Sequence, residues 1–121
     1  MYYTVFLVLN NLEHEDAILD GWEKTGVTGI TIMNSTGLGH IRQRASLRDD
    51  VPLMPSLHDL LQAGEEHHRT FISVVDGDEL VNNIIAATQE VLGDMTAPDT
   101  GILFVMPVTR VVGVPRRGHN Q

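Results

Sequence analysis

Gly37-Leu38-Gly39 closes the run VTGITIMNST, and it is where this chain's backbone can do chemistry of its own. Glycine tolerates positive φ and lets another group approach the main chain closely. Successive amides in such a turn can form a nest for an anion. The same tripeptide also serves as an ordinary exit from a strand, and both readings start from the corner at Thr36–Gly39. The polar stretch that follows, His40 to His68, is too long for an ordinary connection in a compact domain. Loops of that length are functional or disordered. Function is therefore expected at the base of this loop and on the loop itself.

Other residues offer less. Glu65-Glu66-His67-His68 contains imidazoles and carboxylates that suit zinc, copper or nickel. Neighbours along a strand point to opposite faces, so at most alternate members converge. A solvated loop end is the plainer reading, and subunit symmetry is the remaining route to a metal site. Arg42, Arg44 and Arg48 form a local basic run that fits a phosphate, an acidic partner or simply solvent. Asp49-Asp50 falls in the loop, and Asp16 with Asp20 falls on an exposed helix face, so neither pair is placed for acid–base work. Ser35, Ser46, Ser56 and Ser73 lack a nucleophile-elbow setting. No nucleophile, base and orienting group can be assembled, so no enzymatic activity is expected.

Composition narrows the field. The chain has 121 residues, enough for a single domain. Hydrophobic residues make up 42%, as in a globular protein. Aromatic residues are only 5%, so aliphatic and β-branched side chains must fill the core. A formal charge of −8 argues against sequence-independent nucleic-acid binding, which needs a basic face. With no cysteine, disulfides, thiolate metal sites and cysteine nucleophiles are excluded. The start MYYTVFLVLNN does not read as a signal peptide, and no apolar run is long enough to span a membrane. A cytoplasmic location without membrane insertion is the expectation.

The elements that must position the loop read as follows. Tyr3–Leu9 is an apolar strand bounded by Asn10-Asn11. A helix spans Glu13–Lys24, with acidic residues in its first turn, Ile18 and Trp22 inward, and Gly26 as its stop. Val27–Asn34 is a second strand, with Ile30 and Ile32 on one face and Thr31 and Met33 on the other. Arg69–Asp76 is a third strand. Asp78–Leu92 is a second helix, with Asp76 and Glu79 at capping-box spacing and Gly93 as its end. Gly101–Pro107 is a fourth strand, and Val108–Val114 extends it or forms a short extra one. Within the loop, Ser56 to Gly64 reads as a short helix with Leu57, Leu60 and Leu61 on one face. The order β-α-β, long loop, β-α-β predicts an α+β fold, a ferredoxin-like βαββαβ sandwich. It occupies residues 1–114, with the loop at about 40–68 and a flexible tail at 115–121. The strands are apolar on both faces, so the sheet face away from the helices predicts an oligomer.

On these pieces the chain resembles the P-II signal-transduction superfamily, in its P-II-like branch. The resemblance runs over about residues 3–114 and rests on GVTGITI, STGLG, DELV and GILFVMPVTRVVG in that order. It implies a homotrimer whose inter-subunit clefts bind a small-molecule effector, an adenine nucleotide (AMP, ADP or ATP) and often 2-oxoglutarate. It also implies that the long loop, the T-loop, engages a target protein such as a transporter or an enzyme. Carried over by position, the ligand cleft would use Gly29, Ile30, Thr31, Thr36, Gly37, Leu38, Gly39, His40, Val75, Gly101 and Arg110. The partner-binding loop would use Arg42, Arg44, Arg48 and Leu53.

Several positions depart from the family pattern. Ile102 stands where the family has a phosphate-binding lysine, and Gly113 and Pro115 stand where it has arginines. Ile41 replaces the loop glutamine used with magnesium and 2-oxoglutarate. Tyr2 and Tyr3 are the only tyrosines, so uridylylation at a loop tyrosine is ruled out. These departures argue against sensing of ATP with magnesium and 2-oxoglutarate. Arg110, Arg116, Arg117, His40, Arg42 and Arg44 are the candidates for displaced positive charge. The alternative reading is a divalent-metal-binding trimer like the cation-tolerance proteins called CutA, with His67 and His68 as ligands.

Overall fold

The computed structural model describes residues 1–37 and 66–114. Strand β1 (Tyr2–Leu9) leads through a 3-10 turn (Leu12–His14) into helix α1 (Glu15–Lys24). Strands β2 (Thr31–Gly37) and β3 (Glu66–Asp76) follow, then helix α2 (Asp78–Leu92) and strand β4 (Gly101–Val108). All pairings are antiparallel and the strand order is β2-β3-β1-β4. This is the ferredoxin-like topology expected from the sequence.

The helices cover one face of the sheet because the strands alternate. Val5, Leu7 and Leu9 of β1 and Phe71 and Val75 of β3 are buried with Ile18 and Trp22 of α1 and Leu80, Val81 and Ile84 of α2. Trp22 carries the largest of these side chains. Its ring lies 5.8 Å from that of Phe71, and its indole N–H donates to Thr88 Oγ1 at 2.9 Å. Thr88 in turn donates to the Ile84 carbonyl at 2.8 Å. A buried indole N–H without such an acceptor would cost about 1–3 kcal/mol, so this chain of bonds locks α1 to α2.

Among the described residues no helix covers the other face. Phe6, Val8, Ile72 and Val74 project from its central strands. Met33 of β2 is 47% exposed, and Ile102, Phe104 and Met106 of β4 are 59%, 40% and 46% exposed. Phe6 and Phe104 stack with centroids 4.8 Å apart. A contiguous apolar surface of this kind marks an interaction face.

Several boundaries differ from those expected. The apolar run starting at Val27 is not strand until Thr31. Val27 and Ile30 instead pack against the core from the connection after α1. β2 then continues past Asn34 to Gly37, pairing Ser35 with His68 and Thr36 with His67. β3 accordingly starts at Glu66, not Arg69, so His67 and His68 belong to a strand and the connection is residues 38–65. Helix α1 starts at Glu15 because the 3-10 turn, capped by Asn11 Oδ1 accepting from the Glu13 amide, takes up Leu12–His14. The capping box does not form. Gly77, at φ 97, is the N-cap of α2, and Asp76 accepts instead from the Met1 ammonium at 3.3 Å. Among the described residues no strand follows Val108, so Val108–Val114 forms no extra strand. The expected helix at Ser56–Gly64 and the tail at 115–121 lie outside the described residues. Among the described residues no helix is long and apolar enough to cross a membrane.

Candidate functional site

The corner where β2 runs out is built by side chains from both β2 and β3. Gly37 pairs with Glu66, and the half-buried His68 ring packs against the Gly37 backbone so closely that a Cβ there would collide with it. Gly37 therefore answers a demand for close approach, not for positive φ. Next to it, the Ser35 and Thr70 hydroxyls share a hydrogen bond of 2.9 Å.

On the opposite face, Arg69 Nε donates to Glu15 Oε2 at 2.8 Å, and its Nη1 donates to Asn34 Oδ1. This cluster ties the end of β2 and the start of β3 to the first turn of α1. Sequence reasoning missed it. The available signal was an arginine opening an apolar strand in a chain whose first helix begins with carboxylates.

Gly101 lies on the same rung as Leu9 and Arg69, at the same end of the sheet as Gly37. Its φ is 144, and an added Cβ would stand 2.5 Å from the Val8 carbonyl oxygen. The main chain of β1 is in the way, so the neighbour cannot yield. Gly101→Ala is expected to lower the stability by about 1–3 kcal/mol, read as a drop in urea midpoint with an unchanged slope. An unchanged midpoint would contradict this packing.

The remaining candidates sit elsewhere. Gly29 is exposed, and its carbonyl accepts from Ser73 Oγ at 2.7 Å, which pins the entry to β2. Ile30 packs on the core and Thr31 is exposed. Val75, near the end of β3, is a core residue at 2% exposure, so only its main chain can face a ligand. Arg110 is exposed beyond β4. Thr36 is exposed on the rung of His67. Leu38, Gly39, His40, Arg42, Arg44, Arg48 and Leu53 lie outside the described residues, as do Pro115, Arg116 and Arg117.

Two groups thus emerge within one subunit. Gly37 and Gly101 share one end of the sheet but sit on its two outer strands, which run three strand spacings or about 14 Å apart, and on different rungs. Gly29, Val75 and Arg110 lie toward the other end. No single small molecule can be gripped by all of them in one copy.

Metal chemistry finds little support in the geometry. His67 and His68 project to opposite faces, as their pairing with Thr36 and Ser35 requires. Among the described residues no three His, Cys, Asp or Glu side chains are grouped to hold an ion.

Comparisons with known proteins give a consistent picture. The model of the family described as nitrogen regulatory protein P-II matches residues 7–119. No curated protein matches in sequence. Among solved structures, the GlnK–ATP complex of B. subtilis is similar with a TM-score of 0.59 at 19% identity, covering 89% of this chain and 82% of that one. A second structure of B. subtilis GlnK has a TM-score of 0.58 at 19% identity, covering 89% and 85%. Arabidopsis thaliana PII bound to citrate has a TM-score of 0.60 at 17% identity, covering 88% and 77%. At these identities the structural likeness speaks for the fold.

Proposed function

Because the chain belongs to the P-II nitrogen regulatory protein family, we propose that it is a trimeric small-molecule sensor, most simply of an adenine nucleotide, and not an enzyme. Its long loop would bind and control a partner protein. The observation that supports this reading is the spread of the candidate ligand residues over β2, β3 and β4 and over the two ends of one sheet. They can converge only when a second copy supplies the missing half. The apolar face bearing Phe6, Phe104, Ile102, Met106 and Met33 gives such copies a reason to associate. A similar protein, B. subtilis GlnK, has been captured as an ATP complex. The cytoplasm is the expected setting.

The loop leaves the body at Gly37 and returns at Glu66, on rungs fixed by His68, Arg69 and Asn34. A ligand lodged at this corner would therefore bias the shape of the loop. It does so only by binding one loop shape more tightly than another, which is a population shift. The partner then reads the shape.

Thermal shift tests this reading. A panel of AMP, ADP, ATP, 2-oxoglutarate, zinc and copper is applied to the intact chain. A nucleotide at about a hundred times its Kd stabilises by about 2.7 kcal/mol. That stabilisation is expected to vanish in Gly39→Trp. A response to metal alone, abolished by His67→Ala with His68→Ala, would replace this reading with the metal-binding one.

A further inference from the structure

The sheet narrows to two strands where the long connection begins. The last rung of β1 sets Leu9 between Arg69 of β3 and Gly101 of β4. Strand β3 starts earlier than this rung, and its Glu66, His67 and His68 pair with Gly37, Thr36 and Ser35 of β2. Among the described residues no further strand flanks these rungs. A two-stranded ribbon by itself is marginally stable at best in water. Its root therefore decides how firmly it stays paired.

That root is fastened on both faces of the sheet. On the helix side, Arg69 and Asn34 share the rung behind the ribbon. The Arg69 guanidinium donates from Nη1 to Asn34 Oδ1 and from Nε to Glu15 Oε2, the latter at 2.8 Å. One side chain thus joins β2, β3 and the first turn of α1. On the other side, the Ser35 and Thr70 hydroxyls meet diagonally across the two strands at 2.9 Å. The two fastenings differ in kind. The hydroxyl pair is neutral and belongs to the strands themselves. The guanidinium pair is ionic and reaches a helix, and with side chains 26% and 29% exposed it is open to screening by salt.

We infer that β2 and β3 part here as a unit, from Gly37–Glu66 back to Asn34–Arg69, while the rest of the fold stays closed, and that each opening breaks the Arg69–Glu15 pair. Elements with few buried contacts open at a lower free energy than the whole fold. When the end of β2 lifts away, Asn34 leaves the guanidinium, and the start of β3 is free to carry Arg69 off Glu15. The carboxylate on α1 thereby biases the strands that hold both ends of the connection 38–65. Such coupling needs an element with two discrete arrangements, and the paired and parted ribbon supplies them. The device needs no ligand and stands apart from the sensor reading.

Hydrogen exchange followed by NMR on the intact chain tests the inference. The amides of Ser35–Gly37 and Glu66–His68 are expected to exchange about tenfold or more faster than those of Val5–Leu7 and Phe71–Val75, and to respond little to low urea. In Glu15→Ala the ribbon rates should rise by about two- to fivefold. Asn34→Ala, which removes the other acceptor, should act in the same direction. Asp16→Ala takes a carboxylate from the same helical turn without touching Arg69 and should leave the ribbon rates alone. Raising salt from about 0.01 M to about 1 M should quicken the ribbon in the unaltered chain and not in Glu15→Ala. Ribbon rates equal to those of the central strands would overturn the separate opening. Ribbon rates unmoved by Glu15→Ala, whatever the urea midpoint does, would make the ion pair a static part of the body and overturn the coupling. So would an equal rise in Asp16→Ala, or a salt response that survives in Glu15→Ala.

Discussion

Phe104→Asp is expected to break the proposed trimer into single folded chains and to abolish the nucleotide binding proposed for it. Phe104 sits mid-strand in β4, on the face opposite α1 and α2, and stacks on Phe6 at 4.8 Å. Ile72 lies on the next strand of the same rung, and Met33, Ile102 and Met106 complete the exposed apolar surface. At 40% exposure the side chain is open to water in an isolated subunit, so aspartate there costs the lone fold little. Inside an interface between copies the same carboxylate would be stripped of water without a partner. The penalty is several kcal/mol per buried charge, and a trimer would incur it three times. Sedimentation velocity should show one slow species, and the far-ultraviolet circular dichroism should stay native. An assembly that survives the charge would mean that the copies meet elsewhere.

Trp22→Ala is expected to cost about 3–5 kcal/mol, the usual range for removing a fully buried large aromatic. That is much of the roughly 5–15 kcal/mol that a domain has in total. The mechanism is specific. The indole fills the space between α1, α2 and the sheet, tilts against Phe71 and donates to Thr88. Alanine leaves a cavity and removes the donor that ties the two helices together. Because the proposed association would stabilise the folded chain, the loss must be measured at a fixed protein concentration. Urea unfolding of Trp22→Ala beside Trp22→Phe separates the contributions. Phenylalanine restores volume but not the hydrogen bond, and should recover about half of the loss or more. Equal losses in both variants would shift the weight from packing to the Thr88 bond.

How much of this was legible in the sequence depends on what each element had to do. Both helices follow from apolar periodicity, since each has one face to bury, and β1 follows from a continuous apolar run ended by Asn10-Asn11. Strand β2 was misplaced toward Val27 because it is an edge strand. Its residues Asn34, Ser35 and Thr36 are polar, and their strand character comes from pairing with Arg69, His68 and His67 across the sheet. An alternation of hydrophobic residues cannot reveal such a strand. The same pairing extended β3 back to Glu66 and took the two histidines out of the loop.

The glycines were half legible. Gly37 was expected to meet either a positive φ or a close neighbour, and the neighbour proved to be His68. Gly101 was assigned to a ligand loop, yet in one subunit its requirement comes from the Val8 carbonyl. The capping box failed because Gly77 already starts α2 and the chain's own amino terminus engages Asp76. The site was the least legible part for a simple reason. The residues proposed for it lie on different strands and at both ends of one sheet, and a single chain's pattern does not encode where a neighbouring copy would stand.

The most direct test of this account is the mass of the intact, untagged chain in solution, by native mass spectrometry with AMP present. The account predicts a species three times the 13.4 kDa chain mass that takes up nucleotide in steps, one per seam. A 13.4 kDa species that binds nucleotide by itself would contradict it, because one subunit would then hold a complete site.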